Sequence, residues 1–197
     1  MSSIKPHLFI NNLSRLVVDP ERFLDESETM NAVGMGAVYT QTHDGQTLRD
    51  AGFDPQPLVE RYFRPYSESL SALVAQILTN EDRVVIIDLH SYATNALPYE
   101  IHQNDARPEL CIGIDNFHTS EHLVDLVAKS FDYFNEVEIN QPFKGTYVPI
   151  DFYGVDARVQ SVMLELRKDA YCAQVPTDVR FKQTAIAIAE LVQAVSA

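Results

Sequence analysis

The clearest apolar run in the chain is Val84-Val85-Ile86-Ile87-Asp88-Leu89. It is short, continuous and β-branched, which predicts a central strand buried on both faces. Further short apolar runs predict strands at His7–Ile10, Leu16–Val18, Ala37–Thr40, Leu110–Ile114, Val137–Ile139 and Val159–Leu166. A helical period is evident from Pro57 to Leu78, where Leu58, Val59, Tyr62, Tyr66, Leu70, Leu73, Val74, Ile77 and Leu78 fall mostly on one stripe. Thr119 or Ser120 can cap a second helix running to about Phe134, with Leu123, Leu126, Val127 and Phe131 inward. A third is expected over Val179 to Val195, with Ile186, Ile188, Leu191 and Val192 as its apolar positions. Strands alternating with helices imply an α/β fold whose parallel strands are joined by helical crossovers.

At 197 residues, with no repeat or low-complexity tract, the pattern suits one domain over residues 1–197. Apolar residues make up 46% of the chain, enough for a core without metal or disulfide staples. The 28 acidic against 15 basic residues give a net charge of −13. Nucleic-acid binding needs clustered Lys and Arg, so that class is excluded as the first reading. An anionic small molecule would instead need a local cationic pocket. No apolar run reaches the roughly 20 residues of a membrane span, and Met1 to Pro6 shows no leader pattern. Cys111 and Cys172 are widely separated; they allow one disulfide but read first as two thiols in a reducing compartment, so the expected location is cytoplasmic.

Several polar residues interrupt the apolar pattern. Asp88-Leu89-His90-Ser91 closes the first buried strand, and open α/β sheets bind ligands beyond the carboxyl ends of their strands. His90 is therefore placed for metal or proton chemistry, with Asp88 or a nearby carbonyl to orient it. The alternative is a hydrogen-bonded core histidine. Glu165 stands inside an apolar strand, where a carboxylate needs a partner or a role as general base. Arg15 and Arg22 can fork onto a carboxylate, or pair with Asp19 and Glu21. His118-Thr119-Ser120-Glu121-His122 matches a zinc-protease pattern, but that pattern belongs inside a helix and here overlaps a helix start. Thr42-His43-Asp44-Gly45 reads as a hairpin turn.

In their order and spacing, the following stretches resemble the N-formylglutamate amidohydrolase family: Ser14 to Phe23, Gly34 to Thr40, Asp44 to Arg49, Tyr62 to Tyr66, Asp88 to Ser91, Asn140 to Tyr147, and Val162 to Tyr171. The family is similar to zinc carboxypeptidases. The resemblance implies a mixed, largely parallel β-sheet flanked by helices on both faces, with one zinc ion at the strand ends. It implies hydrolysis of N-formyl-L-glutamate to glutamate and formate, in histidine degradation. On this analogy His90 is a zinc ligand and Glu165 is the base. Arg22, then Arg15, would hold a substrate carboxylate. Asn140 and Lys144 are further pocket candidates.

The family's Pro-His-Ser-Gly-like motif and a following acidic residue supply its other two zinc ligands. Pro6-His7 is followed by Leu8-Phe9 and stands only eight residues before Arg15, so it does not match. The expectation is a chain that lacks the family's first segment, with two of three zinc ligands unassigned. The expected partner is a small N-formyl or N-acyl amino acid, and self-association is allowed. The alternatives are amidohydrolysis of another N-acyl amino acid, or an inactive domain.

Overall fold

The computed structural model describes residues 6–100, 103, 106–172 and 179–196. The absence of a leader pattern was read from residues that lie mostly outside this set. Two compact units result. One holds Asn80–Ala96 and the described residues of Asn104–Ala197; the other holds Leu8–Thr79 and the described residues of Leu97–Gln103.

The first unit is built on a four-stranded sheet in the order β1-β4-β2-β3, formed by β1 (Val84–Tyr92), β2 (Leu110–Gly113), β3 (Val137–Ile139) and β4 (Val159–Arg167). β1 runs parallel to β4, β2 runs parallel to β3, and β2 meets β4 antiparallel. The sheet is thus mixed and mostly parallel, as expected. β1 extends three residues past the expected end at Leu89, because Asp88 to Tyr92 continue in register with Met163 to Arg167. His90 consequently lies within a strand rather than beyond it.

Strand pairing sorts the side chains by face. Val162, Leu164 and Leu166 of β4 join Leu110 and Ile112 of β2 on one face. Against them pack Leu123, Val127 and Phe131 from α3 (Glu121–Ser130) and its end, and Ala187 and Leu191 from α5 (Val179–Val195). Each fully buried aliphatic side chain here contributes roughly 2 kcal/mol. Ser120 caps α3, its Oγ accepting from Leu123 N–H at 3.2 Å. On α5 the inward residues are Thr184, Ala187 and Leu191, whereas Ile186, one of the apolar positions read in the sequence, is 57% exposed. The three-to-four-residue spacing of Thr184, Ala187 and Leu191, rather than side-chain size, set the buried stripe. A four-residue helix, α4 (Lys168–Tyr171), links β4 toward α5.

The second unit has one long helical segment. α1 (Gln56–Leu58) passes through a π-helical turn at Val59–Phe63 into α2 (Arg64–Leu78). Val59, Phe63, Leu70, Ser71 and Val74 are its buried positions. The remainder is held by turns. Glu28 is buried and accepts from Met30 N–H at 2.8 Å and Phe23 N–H at 3.0 Å, capping a 3-10 helix at Thr29–Val33. The expected turn at Asp44-Gly45 is present, with Gly45 at φ 80 and a single bridge between Gln41 and Thr47.

The strands expected at His7–Ile10, Leu16–Val18 and Ala37–Thr40 do not form. Arg49 supplies the reason for the last two. Its guanidinium donates to Leu16 O at 2.7 Å, to Val17 O at 3.4 Å and to Tyr39 O. A side chain thus occupies carbonyls that a neighbouring strand would need. Leu8 and Ile10 are 81% and 66% exposed, so that segment buries no face that would favour strand pairing.

Candidate active site

The sheet face opposite α3 and α5 carries polar side chains. Along β1, Asp88 and His90 are two residues apart and so share this face. His90 pairs in register with Glu165 on β4, which in turn pairs with Cys111 on β2. Asp88, His90, Glu165 and Cys111 therefore stand side by side on three adjacent strands. Their backbone groups are engaged in the sheet ladder, so the side chains alone set the chemistry of this face.

His90 Nε2 lies 2.7 Å from Asp88 Oδ1. The other carboxylate oxygen, Oδ2, accepts from Tyr147 N–H at 3.3 Å. Asp88 thus fixes the imidazole, and the ring's second nitrogen, Nδ1, is the one not committed to that bond. A carboxylate-oriented imidazole is common donor chemistry for a divalent metal such as zinc, and among the described residues of this unit Asp88 and His90 are placed to contribute donors to one. Glu165 is half-buried with its Oε2 shielded from solvent. Beside it, burial pushes the Cys111 thiol up to about 11 from its ordinary value, the charges of Glu165 and Glu138 adding to the effect. Tyr92, at the end of β1, is likewise raised by burial.

The loop after β3 borders this face. Asn140 adopts a left-handed backbone, φ 56, and its Oδ1 accepts from Ile114 N–H at 2.9 Å and Gly145 N–H at 3.2 Å. Its carbonyl group therefore shapes the loop. Lys144 is exposed on that loop. A Cβ on Gly113 would meet Gly145 O at 2.1 Å, so only glycine lets the loop lie this close to β2.

Arg15 and Arg22 belong to the second unit. Asp19, fully buried, is the hub there: Tyr39 Oη donates to its Oδ2 at 2.8 Å, and Arg22 Nε lies 3.4 Å from the same oxygen. Arg15 Nη2 pairs with Glu21 at 2.6 Å and its Nε approaches Asp19 at 3.8 Å. Two guanidiniums thus face two carboxylates, the ion-pair arrangement that the sequence allowed as an alternative to substrate binding.

The His118 to His122 pattern takes a different form. His118 is buried ahead of α3, with Nδ1 2.7 Å from Val159 O and Nε2 accepting from Gly154 N–H at 2.8 Å. Both nitrogens serve the fold, which fixes the ring as the neutral Nδ1–H form. Ser161 is a polar residue of this face that lies outside every motif read in the sequence. The signal was of the kind that exposed Glu165: a polar side chain inside an apolar strand.

Comparison with known proteins adds three findings. A profile described as N-formylglutamate amidohydrolase matches residues 2–172. The fold is similar to a crystal structure of N-formylglutamate amidohydrolase from Ralstonia eutropha, with a TM-score of 0.72 at 23% identity, over 92% of this chain and 74% of that one. It is also similar to the structure of a gene product from Agrobacterium tumefaciens, with a TM-score of 0.60 at 18% identity, over 93% of this chain and 69% of that one. No curated protein gives a match. No helix among the described residues is long and apolar enough to cross a membrane.

Proposed function

Because this chain belongs to the N-formylglutamate amidohydrolase family, we propose that its sheet face hydrolyses the formamide of an N-formyl amino acid, N-formyl-L-glutamate first, to the amino acid and formate. The observation that carries the reading is the placement of Asp88, His90 and Glu165 on one face of adjacent strands.

A formamide is a weak electrophile, and its amine is a poor leaving group unless protonated. Zinc, when bound, supplies Lewis-acid polarisation of a carbonyl and lowers the pKa of water. His90 and Asp88 are the residues that would hold it. In the proposed reaction Glu165 takes a proton from the attacking water and returns it to the departing nitrogen as the C–N bond breaks. Water is consumed, and the amino acid and formate leave. Arg22 and Arg15 are the proposed clamp for the substrate's side-chain carboxylate, which must compete with Asp19 and Glu21 for them. Asn140 and Lys144 are proposed to border the pocket, Asn140 by shaping the loop.

The pairing of Arg15 with Glu21 favours a second reading, an amidohydrolase for N-acyl amino acids whose side chain is not a carboxylate. A substrate panel separates the two. With zinc added, formate release from N-formyl-glutamate should exceed that from N-formyl-alanine and N-formyl-glutamine by at least about tenfold, the value of one good charged contact. Equal rates would select the second reading. No formate from any N-formyl amino acid, with the protein folded and zinc supplied, would sink both.

A further inference from the structure

We infer that Ser161, a residue with no assigned role, is a positioning residue of this site: with Thr146 it anchors the Tyr147 peptide that holds Asp88 against His90. The inference rests on the proposed role of His90 and Asp88. It begins with an anomaly in β4. Ser161 is 0% exposed in a strand whose other buried residues are apolar. A hydroxyl there must be hydrogen-bonded, since leaving it unpaired would cost roughly 1–3 kcal/mol.

The structure accounts for it fully. Ser161 Oγ donates to Tyr147 O at 2.8 Å. That uses its single proton, so in the 2.7 Å contact with Thr146 Oγ1 it is Thr146 that donates. Ser161 therefore grips the chain on both sides of one peptide group: Thr146 precedes it and Tyr147 follows it. The N–H of that same peptide is the donor to Asp88 Oδ2 at 3.3 Å, while Asp88 Oδ1 engages His90 Nε2 at 2.7 Å. Ser161 itself is held in place from its main chain, its N–H bonding His118 O at 2.9 Å and its carbonyl accepting from Thr119 Oγ1 at 2.6 Å.

The loop leading to Thr146 is fixed independently. Asn140 Oδ1 binds Gly145 N–H at 3.2 Å, and Gly113 admits Gly145 O to the surface of β2. Only the last step, from Gly145 to the Asp88 carboxylate, depends on Ser161. Without it the Tyr147 N–H loses its aim, Asp88 can rotate about its own side chain, and the imidazole loses its fixed orientation. Such outer partners of a metal-binding histidine typically matter by about 10–100-fold in metal affinity or activity.

The test has two arms, read on the full chain. In the first, amide hydrogen exchange follows Tyr147 with no metal added. Ser161→Ala and Thr146→Val should speed its exchange by about tenfold, the equivalent of one hydrogen bond, while Thr146→Ser restores protection and β4 amides stay protected. Unchanged exchange at Tyr147 in Ser161→Ala and Thr146→Val would overturn the inference. Thr146→Val keeps side-chain volume, so the arm stands even if Ser161→Ala is poorly folded. In the second arm, zinc affinity is titrated in Ser161→Ala, Asp88→Asn and the double variant. Affinity should fall about 10–100-fold in Ser161→Ala, with no further loss when it is combined with Asp88→Asn. Additive losses would mean that Ser161 does not act through Asp88. If the unaltered protein binds no zinc, the functional reading fails, and the exchange arm still decides whether the anchor exists.

Discussion

The two units of this protein use polar side chains in opposite ways. In the sheet unit, backbone N–H and C=O groups of β1, β2 and β4 satisfy one another, so the side chains of Asp88, His90 and Glu165 are not needed to complete the ladder. In the unit spanning Leu8–Thr79, regular ladders are scarce and side chains do their work. Arg49 binds three carbonyls, Glu28 binds two N–H groups, and Asp19 holds a tyrosine and two arginines. The lesson concerns where chemistry can reside. A polar residue on a self-satisfied strand is open to function, whereas one that replaces a strand partner is committed to the fold.

The sharpest way to break this comparison is Glu165→Gln. The change keeps shape and removes the proton acceptor. If the sheet unit carries the chemistry, kcat for formate release falls by about 10²–10⁴-fold, with KM and the thermal midpoint nearly unchanged. A loss of stability in place of a loss of kcat would place Glu165 with the structural residues instead.

Arg49→Ala probes the other side. Charged hydrogen bonds of this kind are worth about 1.5–3 kcal/mol each, and they are not additive. A loss of roughly 3 kcal/mol in urea unfolding is expected, with the unit around Leu16 and Tyr39 loosened first in hydrogen exchange. Arg49→Lys should recover only part of it, because one ammonium cannot reproduce the planar fork. A change below about 0.5 kcal/mol, the size of an ordinary surface substitution, would show that these segments do not depend on the guanidinium.

The same contrast explains what the sequence disclosed. The sheet unit was legible because apolar runs there do become strands. Val84–Tyr92, Leu110–Gly113, Val137–Ile139 and Val159–Arg167 lie close to their expected bounds, and an acid or histidine inside such a run is conspicuous. Leu16–Val18 and Ala37–Thr40 look similar in composition, but their fate was decided by Arg49, which no local pattern connects to them. Asp88 was readable as an orienter of His90 because both stand at the end of the first apolar run, although His90 was expected just past the strand and lies within it. The Ser161 to Tyr147 anchor was not, since it depends on a loop laid against β4 that only the fold brings there. Arg15 and Arg22 were visible as charges, yet their pairing with Asp19 and Glu21 needed coordinates to establish.

The smallest expected effect tests how dry the sheet unit is beside its polar face. Cys111 is 0% exposed, and its Sγ lies 3.2 Å from Phe143 O. Burial lifts its pKa from 9.0 to about 11. A raised thiol is neutral in both states below pH 9, so stability is unaffected there. Between pH 9 and about 11 the unfolded chain ionises first and is favoured, so stability falls as pH rises, by at most about 2 kcal/mol from this group. The raised tyrosines Tyr39 and Tyr92 act in the same direction, so the informative quantity is a difference. Urea midpoints of the unaltered chain and of Cys111→Ala should converge as pH is raised from 8 to 11, because only the former carries the thiol penalty. A constant gap would show that Cys111 ionises as readily in the folded protein as in the unfolded chain. The polar face would then be wetter than its packing implies, closer in character to the turn-built unit than to a sheet that keeps its side chains for chemistry.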